Sequence, residues 1–107
     1  MINNIRLIEN YILKLDKNKI IKDIYANDIS DINNKNYVVF IYIRNKHNNF
    51  LGMEQIKITY HSKNDRLRIS PFNSVYYDNK KDCLFVFIYK NRNKIKNEIK
   101  NIIKNNI

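Results

Sequence analysis

The sequence of 107 residues predicts a single α+β domain in which helices flank an antiparallel sheet of four to five strands. Three observations lead to this class. Apolar residues near both termini recur at helical spacing, whereas segments in the middle of the chain alternate polar and apolar residues, as half-solvated strands do. The length suits one domain, and no repeat or Gly/Ser/Pro-rich linker divides residues 1–107. We therefore expect one hydrophobic core.

The N-terminal segment predicts a helix and then, after a break, a second short helix. The first apolar stripe fits a helix from about Asn4 to Leu15 and consists of Ile5, Ile8, Ile12 and Leu15. A second apolar set would fall on nearly the opposite face of one continuous helix; it consists of Ile20, Ile21, Ile24 and Tyr25. We therefore predict a break at residues 16–18, a short helix to Ala26 and a loop over residues 27–36.

Two strands are predicted in the middle of the chain. Residues 37–44 are β-branched and aromatic on both faces, which is typical of a central strand covered on each side. After a loop at residues 45–49, the segment 54–61 alternates, which indicates a strand with one solvated face. Its inward side chains are expected to be Ile56, Ile58 and Tyr60.

Further strands are predicted after a turn at residues 62–65. Residues 66–69 alternate again, with arginines outward, and Pro71 ends this strand or marks an edge of the sheet. Segments 74–77 and 83–89 flank a polar stretch and are predicted to form a hairpin.

The last segment predicts an amphipathic helix with an apolar stripe of Ile95, Ile99, Ile102 and Ile103. Packing of this stripe on the sheet is the interpretation that we favour. The alternatives are a helix that lies on an anionic membrane and a helix that enters a groove of RNA or DNA. The first alternative is weakened because the helix is short and has no Trp or Phe.

Several classes of site are disfavoured by what the sequence lacks. Gly52 is the only glycine, so a phosphate-cradling loop or a dinucleotide-binding turn is excluded. Cys83 is the only cysteine, which rules out an internal disulfide and a Cys-based zinc site, and we expect it to be a buried thiol. His47 and His61 do not have metal-ligand spacing, and the carboxylates form no paired motif. We expect no cofactor and no metal.

The chain is also expected to be cytoplasmic and to have no membrane partner. No stretch approaches the roughly 20 consecutive apolar residues that a bilayer span requires. The N-terminus lacks an apolar leader followed by a small-residue cleavage site.

The chain is strongly basic, with a formal net charge of +10. Asn, Ile and Lys make up 55 of the 107 residues, and A/T-rich coding accounts for part of that excess. The shortage of Glu, which occurs only three times, is more informative. Residues 1–34 are neutral, whereas residues 35–81 carry a surplus of six positive charges and residues 82–107 a surplus of four. This uneven distribution favours a real electropositive surface on the sheet and the last helix.

Such a surface attracts phosphate groups, and two arginines on one strand carry most of this prediction. Lys57, Arg66 and Arg68 share the outward phase, with His61 beside them, and the arginine fork suits phosphate. A plainer interpretation is that the arginines keep an exposed edge strand soluble. The predicted nucleic-acid-binding residues are Arg44, Lys57, Arg66, Arg68, Lys90, Arg92, Lys94, Lys96, Lys100 and Lys104. We expect Tyr76 or Tyr77 to supply an exposed aromatic ring.

Three functions follow as hypotheses. The first is a non-enzymatic protein that binds nucleic acid or a nucleoprotein complex through phosphates. The second is a protein-binding inhibitor or modulator of the anti-defence type, encoded by a phage or mobile element. The third is a small metal-independent ribonuclease in which His61 acts with Lys57, Arg66, Arg68 and a tyrosine.

Overall fold

The computed structural model describes residues 2–15, 23–31, 36–46, 53–72 and 84–105. In chain order its elements are α1 (Ile2–Leu15), β1 (Asp23–Asp31), β2 (Asn36–Lys46), β3 (Met53–His61), β4 (Arg66–Phe72), α2 (Leu84–Lys90) and α3 (Arg92–Asn105). The predicted fold class is confirmed, with an N-terminal helix, a four-stranded antiparallel sheet and a C-terminal helix.

The sheet is a meander with the order β1-β2-β3-β4, and each strand pairs antiparallel with its neighbours. Because side chains alternate along a strand, the register aligns the apolar phase of all strands on one face. Ile41 of β2, for example, lies opposite Ala26 on one side and Ile58 on the other. The buried residues of this face are Ala26, Val39, Ile41, Ile43, Ile56, Ile58 and Tyr60.

All three helices bury their apolar stripes in the same core as this inner face of the sheet. The predicted stripes of α1 and α3 are confirmed, because Ile8 and Ile12 are buried in one and Ile95, Ile99, Ile102 and Ile103 in the other. Each buried isoleucine contributes about 1.5–3 kcal/mol relative to an exposed one. The described helices therefore cover one face of the sheet, and the described side chains of the opposite face are partly or fully exposed.

The prediction for the segment after α1 is wrong, because Asp23–Asp31 forms strand β1. A short helix to Ala26 and a loop over residues 27–36 were expected, and both give way to a nine-residue ladder with β2. Asn and Asp disfavour strands locally, but pairing with a buried neighbour overrides that weak preference. The carboxylate of Glu9 accepts a hydrogen bond from the Ala26 backbone N–H (3.4 Å), which ties α1 to this edge strand. The predicted break at residues 16–18 lies outside the described residues.

The predicted strand at residues 83–89 is also wrong, because Leu84–Lys90 forms helix α2. Leu84 and Ile88 are buried one helical turn apart, and the rings of Phe85 and Tyr89 stack at 5.9 Å. Short apolar runs suit either a strand or a buried helix, and here packing on the sheet decides for the helix. The other half of the expected hairpin, residues 74–77, lies outside the described residues, as does Cys83.

Strand β2 is central, as predicted, but it is not covered on both faces. Val39, Ile41 and Ile43 are completely buried, whereas Tyr42 and Arg44 on the opposite face are exposed. The strand also continues through Lys46, so residues 45 and 46 of the predicted loop belong to β2. Residues 47–49 lie outside the described part of the chain.

The turn predicted at residues 62–65 is confirmed and is held by several hydrogen bonds. Asp65 adopts a left-handed conformation (φ 51°), which Asp tolerates better than most residues. The Tyr37 N–H donates to Ser62 Oγ (2.6 Å), and the Lys63 N–H donates to Asn36 Oδ1 (2.7 Å). These bonds anchor the turn to the start of β2 and fix the direction in which β4 leaves it. Among the described strands, β4 is at an edge of the sheet, as Pro71 indicated.

Candidate functional site

The candidate site is the face of the sheet that the described helices do not cover, which we call the open face. Its described side chains are Tyr25, Val38, Phe40, Tyr42, Arg44, Gln55, Lys57, Thr59, His61, Arg66, Arg68 and Ser70. These residues alternate with the buried core residues of the same strands, so their outward direction follows directly from the pleat of the sheet. Each of them is at least partly exposed to solvent.

The register arranges the open face in rows that run across the strands. One row consists of Tyr25, Tyr42, Lys57 and Ser70. The next rows contain Phe40, Thr59 and Arg68, and then Val38, His61 and Arg66. Aromatic rings therefore come from β1 and β2, whereas cations come chiefly from β3 and β4. Neighbouring strands lie about 4.8 Å apart, so the aromatic half and the basic half of the open face adjoin each other.

Lys57 links the two halves through its contacts with aromatic rings. Its ammonium nitrogen lies 4.8 Å from the ring centroid of Phe40 and 5.8 Å from that of Tyr42. Contacts of this geometry stabilise a cation by about 0.5–1 kcal/mol at exposed sites. They hold the charge over the sheet and cover part of Phe40. Tyr25 is the most exposed ring of the face, with 60% of its surface accessible, against 39% for Tyr42.

The charged side chains that the structure describes on the open face are all positive. Arg44, Lys57, Arg66 and Arg68 are cationic, and no described side chain of this face is acidic. Three of these four described cations, Lys57, Arg66 and Arg68, belong to β3 and β4, so the described positive charge is concentrated there. This half of the face is therefore the part best suited to an anionic ligand.

The other predicted cations belong to the helical layer on the far side of the sheet. They are Lys90 at the end of α2 and Arg92, Lys94, Lys96, Lys100 and Lys104 on α3. The structure thus divides the ten predicted residues into four on the open face and six on the helices. The two groups approach each other at the edge strand β4 and the turn before it, and not across one continuous surface.

Asp65 stands at this junction. Its Oδ2 lies 3.6 Å from Lys96 Nζ and 3.3 Å from Lys100 Nζ, and its Oδ1 accepts a hydrogen bond from the Tyr60 hydroxyl (3.0 Å). Two of the six helical cations are therefore partly neutralised by a neighbouring carboxylate. The same contacts join the β3–β4 turn to α3 and restrict the position of Arg66, the next residue along the chain.

The pKa values of this cluster follow from its contacts. Burial raises the pKa of Tyr60, and the hydrogen bond to Asp65 and the charge of that carboxylate raise it further. Partial desolvation raises the pKa of Asp65, but hydrogen bonds from Tyr60 and Lys100 and the charges of Lys100 and Lys96 outweigh it. The pKa of Asp65 is therefore lowered, and at neutral pH the turn carries a carboxylate and a protonated phenol.

The residues expected to act together in a ribonuclease are only partly gathered. His61 lies opposite Arg66 in the register. Lys57 is on the same strand as His61 but four residues away, which corresponds to about 13 Å along an extended chain. Within the described ranges, no three His, Cys, Asp or Glu side chains come together as a group that could hold a metal ion. None of the helices described here has the length and apolar content to cross a bilayer.

The aromatic side of the site was missed by the sequence analysis, which selected Tyr76 and Tyr77, and these lie outside the described residues. The aromatic residues found on the open face are Tyr25, Phe40 and Tyr42. Arg44 could have indicated two of them, because it shares the alternating phase of Phe40 and Tyr42 and a charged residue marks the solvated phase of a strand. Tyr25 had been assigned to a helix and therefore had no expected partner on the sheet.

Comparison of the chain with protein-family models, with curated proteins and with solved structures found no match. A small α+β fold is compatible with many activities. The chemistry of the open face is therefore the basis for assigning a function.

Proposed function

We propose that the protein is a small, non-enzymatic nucleic-acid-binding protein whose open face binds single-stranded RNA or DNA. The observation that carries the proposal is the presence of three aromatic rings and four cations on one solvated face of the sheet. Stacking surfaces beside a positively charged groove are the combination that binds single strands without strong sequence preference.

The aromatic half of the open face supports stacking of bases. Tyr25 and Tyr42 are neighbours in the register, and both are more than one-third exposed. Each stacked base contributes about 1–3 kcal/mol when the aromatic partner is compared with alanine. Bases inside a duplex are already stacked on one another, so rings that lie in a sheet require unpaired bases. This half of the face therefore favours a single strand over a duplex.

The basic half supports contacts with the phosphates of the same strand. Arg66 and Arg68 are exposed on β4, and Lys57 lies between them and the aromatic rings. Guanidinium groups donate two parallel hydrogen bonds to phosphate oxygens, which favours arginine at such positions. The helical cations on the far side add to the positive potential that attracts the ligand from a distance.

A salt titration with a fluorescent single-stranded oligonucleotide tests this function. If Lys57, Arg66 and Arg68 each neutralise one phosphate, the logarithm of the binding constant falls with the logarithm of salt concentration with a slope of about −2. In the Arg68→Gln variant the slope becomes shallower by about 0.7. A duplex of the same sequence binds more weakly. Chelator is present throughout, and the oligonucleotide is examined afterwards for cleavage.

The Arg6→Gln variant is the matched control, because Arg6 is an exposed arginine on α1 and its loss changes the net charge equally. Equal effects of the two substitutions would mean that charge acts diffusely and would remove the open face as the site. Absent or salt-insensitive binding would overturn the proposal and favour the protein-binding alternative. Cleaved oligonucleotide would favour the ribonuclease.

A further inference from the structure

A cleft at the edge of the sheet offers a second binding site next to the open face. It has a volume of about 390 Å³ and lies between β4 and the helices α2 and α3. Its lining comprises Asp65, Arg66, Leu67, Ile69, Phe85, Tyr89, Arg92, Asn93 and Lys96. A volume of this size is within the range of pockets that hold small organic molecules.

The two walls of the cleft are apolar. One is formed by Leu67 and Ile69, which belong to the inward phase of β4 but remain half-exposed at the edge. The other is formed by Phe85 and Tyr89, whose rings stack nearly parallel, with an interplanar angle of 20°. Tyr89 keeps 48% of its surface exposed. Walls of this kind suit a flat ring, which can pack against the apolar side chains of β4 and against the edges of the two stacked rings.

The rim of the cleft is positively charged. Arg66, Arg92 and Lys96 line it, against the single carboxylate of Asp65. The Arg92 guanidinium lies 3.9 Å from the centroid of Tyr89, and its Nη1 donates to the Tyr89 backbone oxygen (2.7 Å). That bond uses one of the five N–H donors of the guanidinium and holds the group over the ring. The cleft thus combines a site for a ring with fixed donors for an anion.

Arg66 connects the cleft with the open face. It belongs to β4 in the outward phase and is also one of the residues that line the cleft. A strand that runs along the arginines of β4 is therefore directed over the edge of the sheet towards Tyr89 and Arg92. The apolar walls suit a flat base, and the cationic rim suits the phosphate of the same nucleotide.

From this arrangement we propose that the cleft binds a nucleoside phosphate, which is the terminal nucleotide of the strand held on the open face. This proposal rests on the proposed function, because the end of a strand is the expected ligand of the cleft only if the strand binds to the open face. A free nucleoside monophosphate has the same chemistry and could occupy the same cleft, so the experiment separates the two sources.

The experiment compares a linear oligonucleotide phosphorylated at both ends with a circular one of the same sequence. The circle covers the open face but has no end to place in the cleft. We expect the linear form to bind about five- to 150-fold more tightly, which is the effect of one additional base packed on an aromatic ring. Tyr89→Leu keeps an apolar side chain and should remove this difference while leaving affinity for the circle unchanged. The same substitution on the open face, Tyr25→Leu, should weaken both ligands alike.

Arg92→Gln is the second test variant, and it should lower the ratio of linear to circular affinity. Thermal unfolding of each variant checks that the fold is retained, because Arg92 also bonds to the backbone of α2. In a separate arm, a nucleoside monophosphate is titrated while the NMR signals of Tyr89 and Arg92 are followed. Shifts that saturate in the wild type and vanish in Tyr89→Leu would support the cleft with a free nucleotide as ligand.

The failures of the two proposals can be distinguished. If linear and circular oligonucleotides bind equally well and the monophosphate causes no shift, the cleft proposal is overturned and the open face stands. If neither oligonucleotide binds, the proposed function fails, and the monophosphate arm alone decides whether the cleft is a site.

Discussion

The two faces of the sheet use the same strands for different purposes. On β2, Ile41 is completely buried against the helices, whereas the next residue, Tyr42, is exposed on the open face. Because side chains alternate along a strand, a residue that stabilises the domain and a residue that is accessible to a ligand can be direct neighbours in the chain. If the open face binds a ligand, this separation predicts that stability and binding can be altered independently in this sheet.

The helical layer and the open face also differ in how their cations are compensated. On α3, Lys96 and Lys100 share the carboxylate of Asp65. On the basic half of the open face, the described side chains include no acid. Among the described residues, the cations of β3 and β4 therefore keep a stronger field for phosphate than Lys96 and Lys100, so the open face is the better candidate even though the helices hold more lysines.

The largest effect is expected from a core substitution that tests the separation of the two faces. Ile58→Ala removes a completely buried side chain opposite Ile41, and we expect the free energy of unfolding to fall by about 2–5 kcal/mol in chemical denaturation. Affinity of the folded variant for the single strand should remain within about twofold of wild type, because residue 58 faces the helices. A large loss of affinity in the folded protein would show that the faces are not independent.

A smaller effect, on binding instead of stability, is expected from the open face. Tyr25→Ala should weaken binding of a single strand by about 1–3 kcal/mol, which is the range measured for loss of one stacking partner. The free energy of unfolding should change by only about 0.5 kcal/mol, as is usual at exposed positions. Leu13→Ala on α1 is the control, because Leu13 is a comparably exposed apolar residue on the helical side. Equal losses of affinity in both variants would argue against stacking.

The smallest effect is expected at the junction of the two regions, and it depends on pH. A lowered pKa of Asp65 means that its contribution to stability is present above its unfolded pKa of about 3.9 and is lost as pH falls through the folded pKa. Asp65→Asn should therefore be slightly less stable than wild type at pH 7, and the difference should close in acid. The effect is small because the ion pairs are exposed to solvent.

Denaturation of wild type and Asp65→Asn between pH 7 and about pH 3 would check this prediction. An unchanged difference across that window would mean that the carboxylate of Asp65 does not stabilise the turn through its charge. The Lys63→Gln variant, in which an exposed cation of the same turn is removed, serves as the control.

Some parts of the fold could be predicted because a local pattern was sufficient. The stripes of α1 and α3 place four isoleucines or leucines on one face of a helix, and such a face must be buried whatever covers it. The inward phase of β3 was equally clear, because Ile56, Ile58 and Tyr60 alternate with polar residues. For the same reason the outward direction of Lys57, Arg66 and Arg68 could be predicted correctly.

Other parts could not be predicted because they depend on distant partners. Asn27 and Asp28 belong to a strand only because β2 lies beside them, and their own preferences favour a loop. Leu84 and Ile88 are four residues apart, so they would share one face of either a strand or a helix. Only the sheet surface on which they pack decides between the two. Tyr25 has the most exposed ring of the candidate site, and the sequence could not indicate it because its segment was predicted to be a helix.

By itself the sequence determined the class of the fold, the two phases of β3 and β4, and a positive charge concentrated after residue 34. Only the tertiary structure decided that the three described helices cover one face of the sheet, and that the cations of α3 therefore lie on the other side from Arg68. The reason is that alternation gives every strand two faces locally, whereas the choice of which face becomes buried is made by helices far away in the chain.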